Sequence, residues 1–263
     1  MLNIEPDDSI NAVLRIKNFN DEEFLQSHYV VFATKQGIIK KTRLDAYKNV
    51  RAAGVIAINI NEGDEVVGVR LTNGQNELLL ANRNGRAVRF NEDKVRAMGR
   101  VATGVIGMQL DGSDDEVVGM VCVNDPTVET IMVVSENGYG KRSEVEDYRK
   151  TNRGTKGVKT LAVTEKTGRL VAIKVVTDEN DLMIINKSGI LIRLKVADVR
   201  VMGRNTQGVR LINLTKKNDT IASVCKVTSS QEEDVEEAEV LNEELPADTS
   251  VDAAFETDNN NNE

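Results

Sequence analysis

Four stretches of this chain can be laid over one another. They are VVFATKQGIIKKTRLDAYKNVRAAGVIAI from Val30, LLLANRNGRAVRFNEDKVRAMGRVATGVIGM from Leu78, IMVVSENGYGKRSEVEDYRKTNRGTKGVKTL from Ile131 and LMIINKSGILIRLKVADVRVMGRNTQGVRLI from Leu182. Each holds an apolar run, a turn glycine, a basic strand, a short link, and a second glycine followed by valine and another apolar run. The first glycines are Gly37, Gly85, Gly138 and Gly189, and the second are Gly54, Gly104, Gly157 and Gly208. The period is close to 51 residues. Self-similarity at this spacing restricts the fold to arrays in which each unit buries its apolar surface against the next.

Within a repeat the apolar runs are short, β-branched and interrupted by Asn-Gly or Ser-Gly turn signals. Acidic turns lead into one further strand, as in NEGDEVVGVRL and DGSDDEVVGMVCV. Helical periodicity is missing over most of the body, which excludes solenoids of helix pairs. About four strands per 50 residues predicts an all-β, propeller-like array, and closing such an array protects strand edges that would otherwise aggregate. The boundaries fall at 29–76, 77–129, 130–180 and 181–228. Residues 1–28 read as part of a preceding blade, because MLNIEPDDSINAVLRI aligns with the second half of a repeat and places Ile10 against Val117.

Charge divides the chain. Residues 229–263 carry 13 of the 42 acids and none of the 34 bases, leaving 29 acids against 34 bases in residues 1–228. A mildly basic body thus precedes an acidic tail. That tail has few large apolar groups and repels itself, so it is expected to be disordered. Aromatics make up 3% of the chain and tryptophan is absent, so the core rests on Val, Ile, Leu and Met. Cys122 and Cys225 each lie in an apolar run and read as buried free thiols. No run approaches the roughly 18 apolar residues of a membrane span and no leader pattern opens the chain, so no membrane partner and a cytoplasmic location are expected.

The bases recur in columns. Four residues beyond each first glycine stand Lys41, Arg89, Arg142 and Arg193. A second column in the links is Lys48, Arg96, Arg149 and Arg200. A third, four residues before the second glycine, is Arg100, Arg153 and Arg204, with Arg51 offset by one. Equivalent positions should emerge on one side of every blade, which predicts a basic belt on the rim. The plain alternative is a solvated charged face copied by repetition. A curved belt of fixed positive charge suits the phosphates of bent duplex DNA. Aromatics do not interleave with the bases as they do on single-strand platforms. A protein-binding scaffold is a further alternative, although its apolar hot-spot patch is not evident.

The runs NGRAVRF, SGILIRL, MGRVATGV and MGRNTQGV resemble the blade motifs of the C-terminal domain of DNA gyrase A subunits, a β-pinwheel that wraps DNA. The resemblance covers residues 1–228, and an acidic tail also fits it. The hallmark of that family is a Q-R-R-G-G-K-G box. TNRGTKG agrees with it at Arg153, Gly154, Lys156 and Gly157, as a degenerate copy in a later blade, so the box itself is expected upstream of Met1. The resemblance implies an all-β pinwheel of four complete blades plus part of a preceding one, and duplex DNA bound without sequence preference. It also implies a parent type II topoisomerase that reaches its B subunit through a part not in this chain and uses ATP and Mg on other domains or subunits. The related A subunit of topoisomerase IV is the alternative parent.

Catalysis finds no support in these residues. His28 is the sole histidine, which excludes histidine triads and multi-histidine metal sites, and no nucleotide-binding loop pattern appears. It reads as a loop residue. Tyr47 and Tyr148 open the links where the other repeats have Val95 and Val199, so they read as packing residues.

Overall fold

The computed structural model describes residues 10–16, 19–51, 54–214 and 219–228. The acidic tail, its terminal asparagine run and the first nine residues of the partial blade lie outside the described residues.

Each repeat opens with a hairpin. Its first strand is β1 (Tyr29–Thr34), β4 (Glu77–Asn82), β8 (Thr130–Ser135) or β12 (Asp181–Asn186). The basic run after the turn glycine forms β2 (Ile38–Arg43), β5 (Arg86–Asn91), β9 (Tyr139–Glu144) or β13 (Leu191–Lys195). The run after the acidic turn forms β3 (Val66–Thr72), β7 (Val117–Val123), β11 (Leu170–Val176) or β15 (Ile221–Val227) and pairs antiparallel with the first strand. The sequence VVFA or LLLA is continuously apolar rather than alternating because both faces of these sheets are covered, by neighbouring blades or, at the first sheet, also by residues 10–16 and 22–27, whereas β12 is buried on alternate residues.

The fourth strand is exchanged between repeats. Two-residue strands β6 (Val105–Ile106), β10 (Val158–Lys159) and β14 (Val209–Arg210) follow the second glycines. Each adds to the sheet of the preceding repeat, giving the orders β3-β1-β2-β6, β7-β4-β5-β10 and β11-β8-β9-β14, whereas among the described residues the last sheet has three strands, β15-β12-β13. Such close approach selects glycine. At Gly157, φ is +72° and an added Cβ would lie 2.2 Å from the Ala87 carbonyl oxygen, a contact no side chain tolerates.

The core lies between blades rather than inside them. Val31, Ile39, Leu80 and Phe90 pack in one interface, Leu79, Val121, Val133 and Tyr148 in the next, and Met132, Ile184, Val196 and Val224 in the third. The strands β7, β11 and β15 are each joined to the hairpin turn of the preceding repeat, by backbone bonds from Val117 to the Lys35 carbonyl (2.8 Å), Leu170 to Arg83 (3.0 Å) and Ile221 to Glu136 (2.9 Å). A cavity of about 370 Å³ at the hub is lined by residues of all four blades, among them Lys35, Arg83, Glu136 and Lys187.

Two expectations change here. Residues 10–16 form no strand; Leu14 and Ile16 instead pack beside Phe32 and Leu44, because no first-half strand among the described residues is placed to pair with them. A short helix α1 (Glu22–Ser27) follows, started by Asp21, whose Oδ1 accepts the Phe24 N–H at 3.0 Å. Its last turn is closed by His28, stacked on Phe24 with ring centroids 3.9 Å apart. The cysteines are free, but only Cys122 is shielded, its thiol pushed up to about 12 chiefly by burial. Cys225, on β15, is exposed because no further blade among the described residues covers its face of the strand.

Candidate nucleic-acid interface

The first basic column does not reach the rim. Lys41, Arg89 and Arg142 are 6%, 1% and 8% exposed. Strand residues face one neighbouring blade or the other, and this position faces the following one. Arg89 shows the arrangement fully. Its Nη1 donates to the carbonyls of Val145 (2.8 Å) and Tyr148 (2.9 Å) in the next repeat, its Nη2 to Glu146 (2.8 Å), and its Nε to Glu77 (2.5 Å). Arg142 likewise donates to the Val199 carbonyl and to Asp178. Lys41 donates to the Glu92 carbonyl at 2.8 Å and stands over the Tyr29 ring. These three are staples between blades. Arg193 is the exposed member, paired with Asp181 at 2.7 Å on its own blade.

The second column is outward. Lys48, Arg96, Arg149 and Arg200 are all exposed, each just past the single 3-10 turn that ends its basic strand. Lys48 pairs with Glu22 of α1. The residues just before the other three, Val95, Tyr148 and Val199, are buried and anchor the link, and Tyr148 adds a bond to Thr160 Oγ1 at 2.5 Å. Tyr47, before Lys48, is partly buried and donates to the Ala57 carbonyl at 3.2 Å. The anchored residue fixes the direction of the base beside it.

The third column is half-buried and does two jobs. Arg153 donates Nε to the Lys94 carbonyl (2.9 Å) and Nη1 to the Ile106 carbonyl (3.0 Å) of the preceding repeat. Arg204 repeats this one blade later, on Asp147 (3.0 Å) and Lys159 (2.8 Å). Each clamps a 3-10 turn to the exchanged strand while its guanidinium stays at the surface. Arg100 is half-buried at the same place and Arg51 is exposed. In the box-like turn, the Gly154 N–H donates to the Gly107 carbonyl at 2.6 Å, and Lys156 pairs with Asp111, whose carboxyl is held below its usual range by that contact.

Two exposed bases outside the columns, Lys159 and Arg210, sit on β10 and β14 at the outer edge of their sheets. Only their place after the Gly-Val pair signals them. No group of three metal-ligating side chains occurs among the described residues, and none of the described helices is long and apolar enough to cross a membrane.

Known proteins share this arrangement. A family model described as DNA gyrase C-terminal domain, beta-propeller, matches residues 28–73, 76–124, 129–177 and 180–225, one match per repeat. The DNA gyrase A subunit of Staphylococcus aureus is 42% identical over 238 residues, 90% of this chain and 26% of that protein. The chain thus spans about a quarter of the length of the curated relatives it matches. Among solved structures, the C-terminal domain of DNA topoisomerase IV superposes with a TM-score of 0.79 at 28% identity, over 92% of this chain and 73% of that one. The DNA gyrase A C-terminal domain superposes with a TM-score of 0.69 at 26% identity, over 78% and 68%. Its blades being all-β and every repeat matching in turn, the chain belongs to the DNA gyrase C-terminal domain family of β-propellers.

Proposed function

We propose that this chain is a DNA-wrapping module that holds duplex DNA along the outer edge of its blades by phosphate contacts, with little sequence preference. One observation carries the reading. All four repeats place an exposed cation within two residues of the end of the 3-10 turn, at Lys48, Arg96, Arg149 and Arg200, with Arg153 and Arg204 beside the last two. Spaced one per blade on a curved surface, fixed charges of one sign favour a polyanion that bends with them.

The parent on this reading is the A subunit of gyrase, a type II topoisomerase to which this chain contributes DNA wrapping. Cleavage, ATP use and contact with the B subunit belong to other parts. The higher TM-score favours topoisomerase IV in shape, and the 42% identity favours gyrase A; either parent leaves the rim the same task.

The test is a salt series. Duplex affinity should fall steeply as salt rises, and Arg96→Ala, Arg149→Ala and Arg200→Ala together should lower the slope of log K against log salt by about 2.7, or about 0.9 per phosphate contact. An unchanged slope, or tight binding to one sequence only, rejects the rim as the DNA site.

A further inference from the structure

Three residues beyond the turn glycine, the repeats disagree: Lys40, Val88, Lys141 and Ile192. Both lysines are fully buried, where an ammonium is costly. Neither makes an ion pair among the described residues. Lys40 Nζ donates to the carbonyl of Arg100, in the following repeat, and to that of Ala57 at 2.6 Å. Lys141 Nζ donates to the carbonyl of Gly203, also in the following repeat, at 2.6 Å and to Ser143 Oγ at 3.3 Å. Those carbonyls belong to the turns Gly99–Ala102 and Gly203–Thr206, closed by bonds from Ala102 to Gly99 and from Thr206 to Gly203. These turns carry Arg100 and Arg204.

We infer that Lys40 and Lys141 are positioning residues that hold the arginine-bearing turns of the following repeats against DNA. The inference rests on the DNA-wrapping reading above. The turn of the third repeat shows what happens without a lysine. Val88 stands in the equivalent place, and the Arg153 turn is tied to the preceding repeat by backbone bonds, from Gly154 to Gly107 (2.6 Å) and Gln109 to Thr155 (3.0 Å), beside those of Arg153 itself. The blade therefore folds with an aliphatic side chain at this position. The Gln109 to Thr155 bond has counterparts at the lysine-held turns, Asn59 to Ala102 (3.3 Å) and Ala162 to Thr206 (3.1 Å), so a lysine supplies a charged donor where the bond equivalent to Gly154–Gly107 is missing.

The surroundings make the contact sensitive to pH. Burial, then the nearby Arg100, brings the Lys40 ammonium down to about 8. Phe32 covers the ammonium from β1, and Tyr47 shares the Ala57 carbonyl. Lys141 is also brought down to about 8, first by burial, with Asp147 opposing and Arg204 adding to the fall. Tyr148, beside Ser143, is pushed up to about 12 and stays neutral in this range. A neutral amine is a weaker donor to a carbonyl than an ammonium. Stability and binding should therefore respond to pH with opposite signs. The unfolded chain, with ordinary lysines, binds more protons than the folded one between about pH 8 and 10.5, so these groups make stability rise with pH across that window. Turn positioning is lost over the lower part of it.

The experiment compares the full chain with Lys40→Met, Lys141→Met and the double variant. At pH 7 the double variant should be at least as stable as wild type, with the difference closing toward pH 10.5. It should bind duplex DNA several-fold more weakly, with a salt slope lower by about 1.8 for two contacts. Wild-type affinity should fall between pH 7.5 and 9, and the double variant should be flat there. Unchanged affinity and slope, or a loss of affinity that follows a loss of stability, overturns the inference. If the variants do not fold, a flat wild-type profile from pH 7.5 to 9 overturns it alone. A wild-type chain without salt-dependent DNA binding would instead reject the wrapping reading itself.

Discussion

A base on a strand can be a staple or a contact, and residue spacing alone does not separate the two. Lys41, Arg89 and Arg142 recur with the same period as Arg96, Arg149 and Arg200, yet the first set is buried and the second exposed. Repeats impose equivalent directions, but not which direction. In a blade covered on both faces, alternation cannot mark an outside. The structure adds the carboxylates that accompany the buried set, Glu77 and Glu146 at Arg89 and Asp178 at Arg142, while Arg96, Arg149 and Arg200 form no ion pair among the described residues. This gives a direct contrast. Arg89→Ala leaves the Val145 and Tyr148 carbonyls without their donor inside an interface and leaves Glu77 with Lys150 alone, and should cost about 3 to 5 kcal/mol in urea unfolding. Arg96→Ala should stay within about 0.5 kcal/mol and change DNA affinity instead. Equal stability losses would show that the two columns share one role.

At the scale of elements, the hairpins were legible and the strand exchange was not. Asn-Gly and Ser-Gly between β-branched runs announce β4–β5, β8–β9 and β12–β13, but β6, β10 and β14 have two residues each and no pattern of their own. Nothing local says that they belong to the preceding blade. What fixes them is the turn glycine, whose carbonyl receives the returning chain: Gly85 accepts from Thr160 at 2.8 Å and Gly138 from Leu211 at 2.9 Å. Gly85 and Gly189 both have left-handed φ, +77° and +81°. An added Cβ at Gly85 would lie 2.7 Å from the Leu161 carbonyl oxygen, whereas at Gly189 nothing lies within 4 Å. Gly189→Ala should therefore cost only the backbone strain, about 1 to 2 kcal/mol. Gly85→Ala should cost clearly more, because β10 must also shift. Thermal unfolding of the two variants decides it, and equal shifts in Tm would mean that the docked chain contributes little.

Across the whole molecule, an array with inter-blade cores and exchanged strands should lose stability unevenly. Each of the first three sheets is closed on its outer edge by a strand from the next repeat, while β13 has no such strand among the described residues. Ile190 and Leu191 there are 39% and 46% exposed. Because repeat stability is a sum of unit and neighbour terms, the blade with one interface should open first, and its amides should report it. Hydrogen exchange under native conditions should be faster for residues 189–195 than for the equivalent segments 85–91 and 138–144, and the gap should exceed what one edge pairing at two residues explains. The interior segments gain both the exchanged strand and the staples: Arg89 and Arg142 tie β5 and β9 to the following repeat, whereas Arg193 pairs with Asp181 on its own blade. Arg142→Ala should raise exchange in 138–144 toward the level of 189–195 without altering 85–91. Uniform protection across the three segments would mean that the blades open as one unit, and that neighbour coupling outweighs the missing edge.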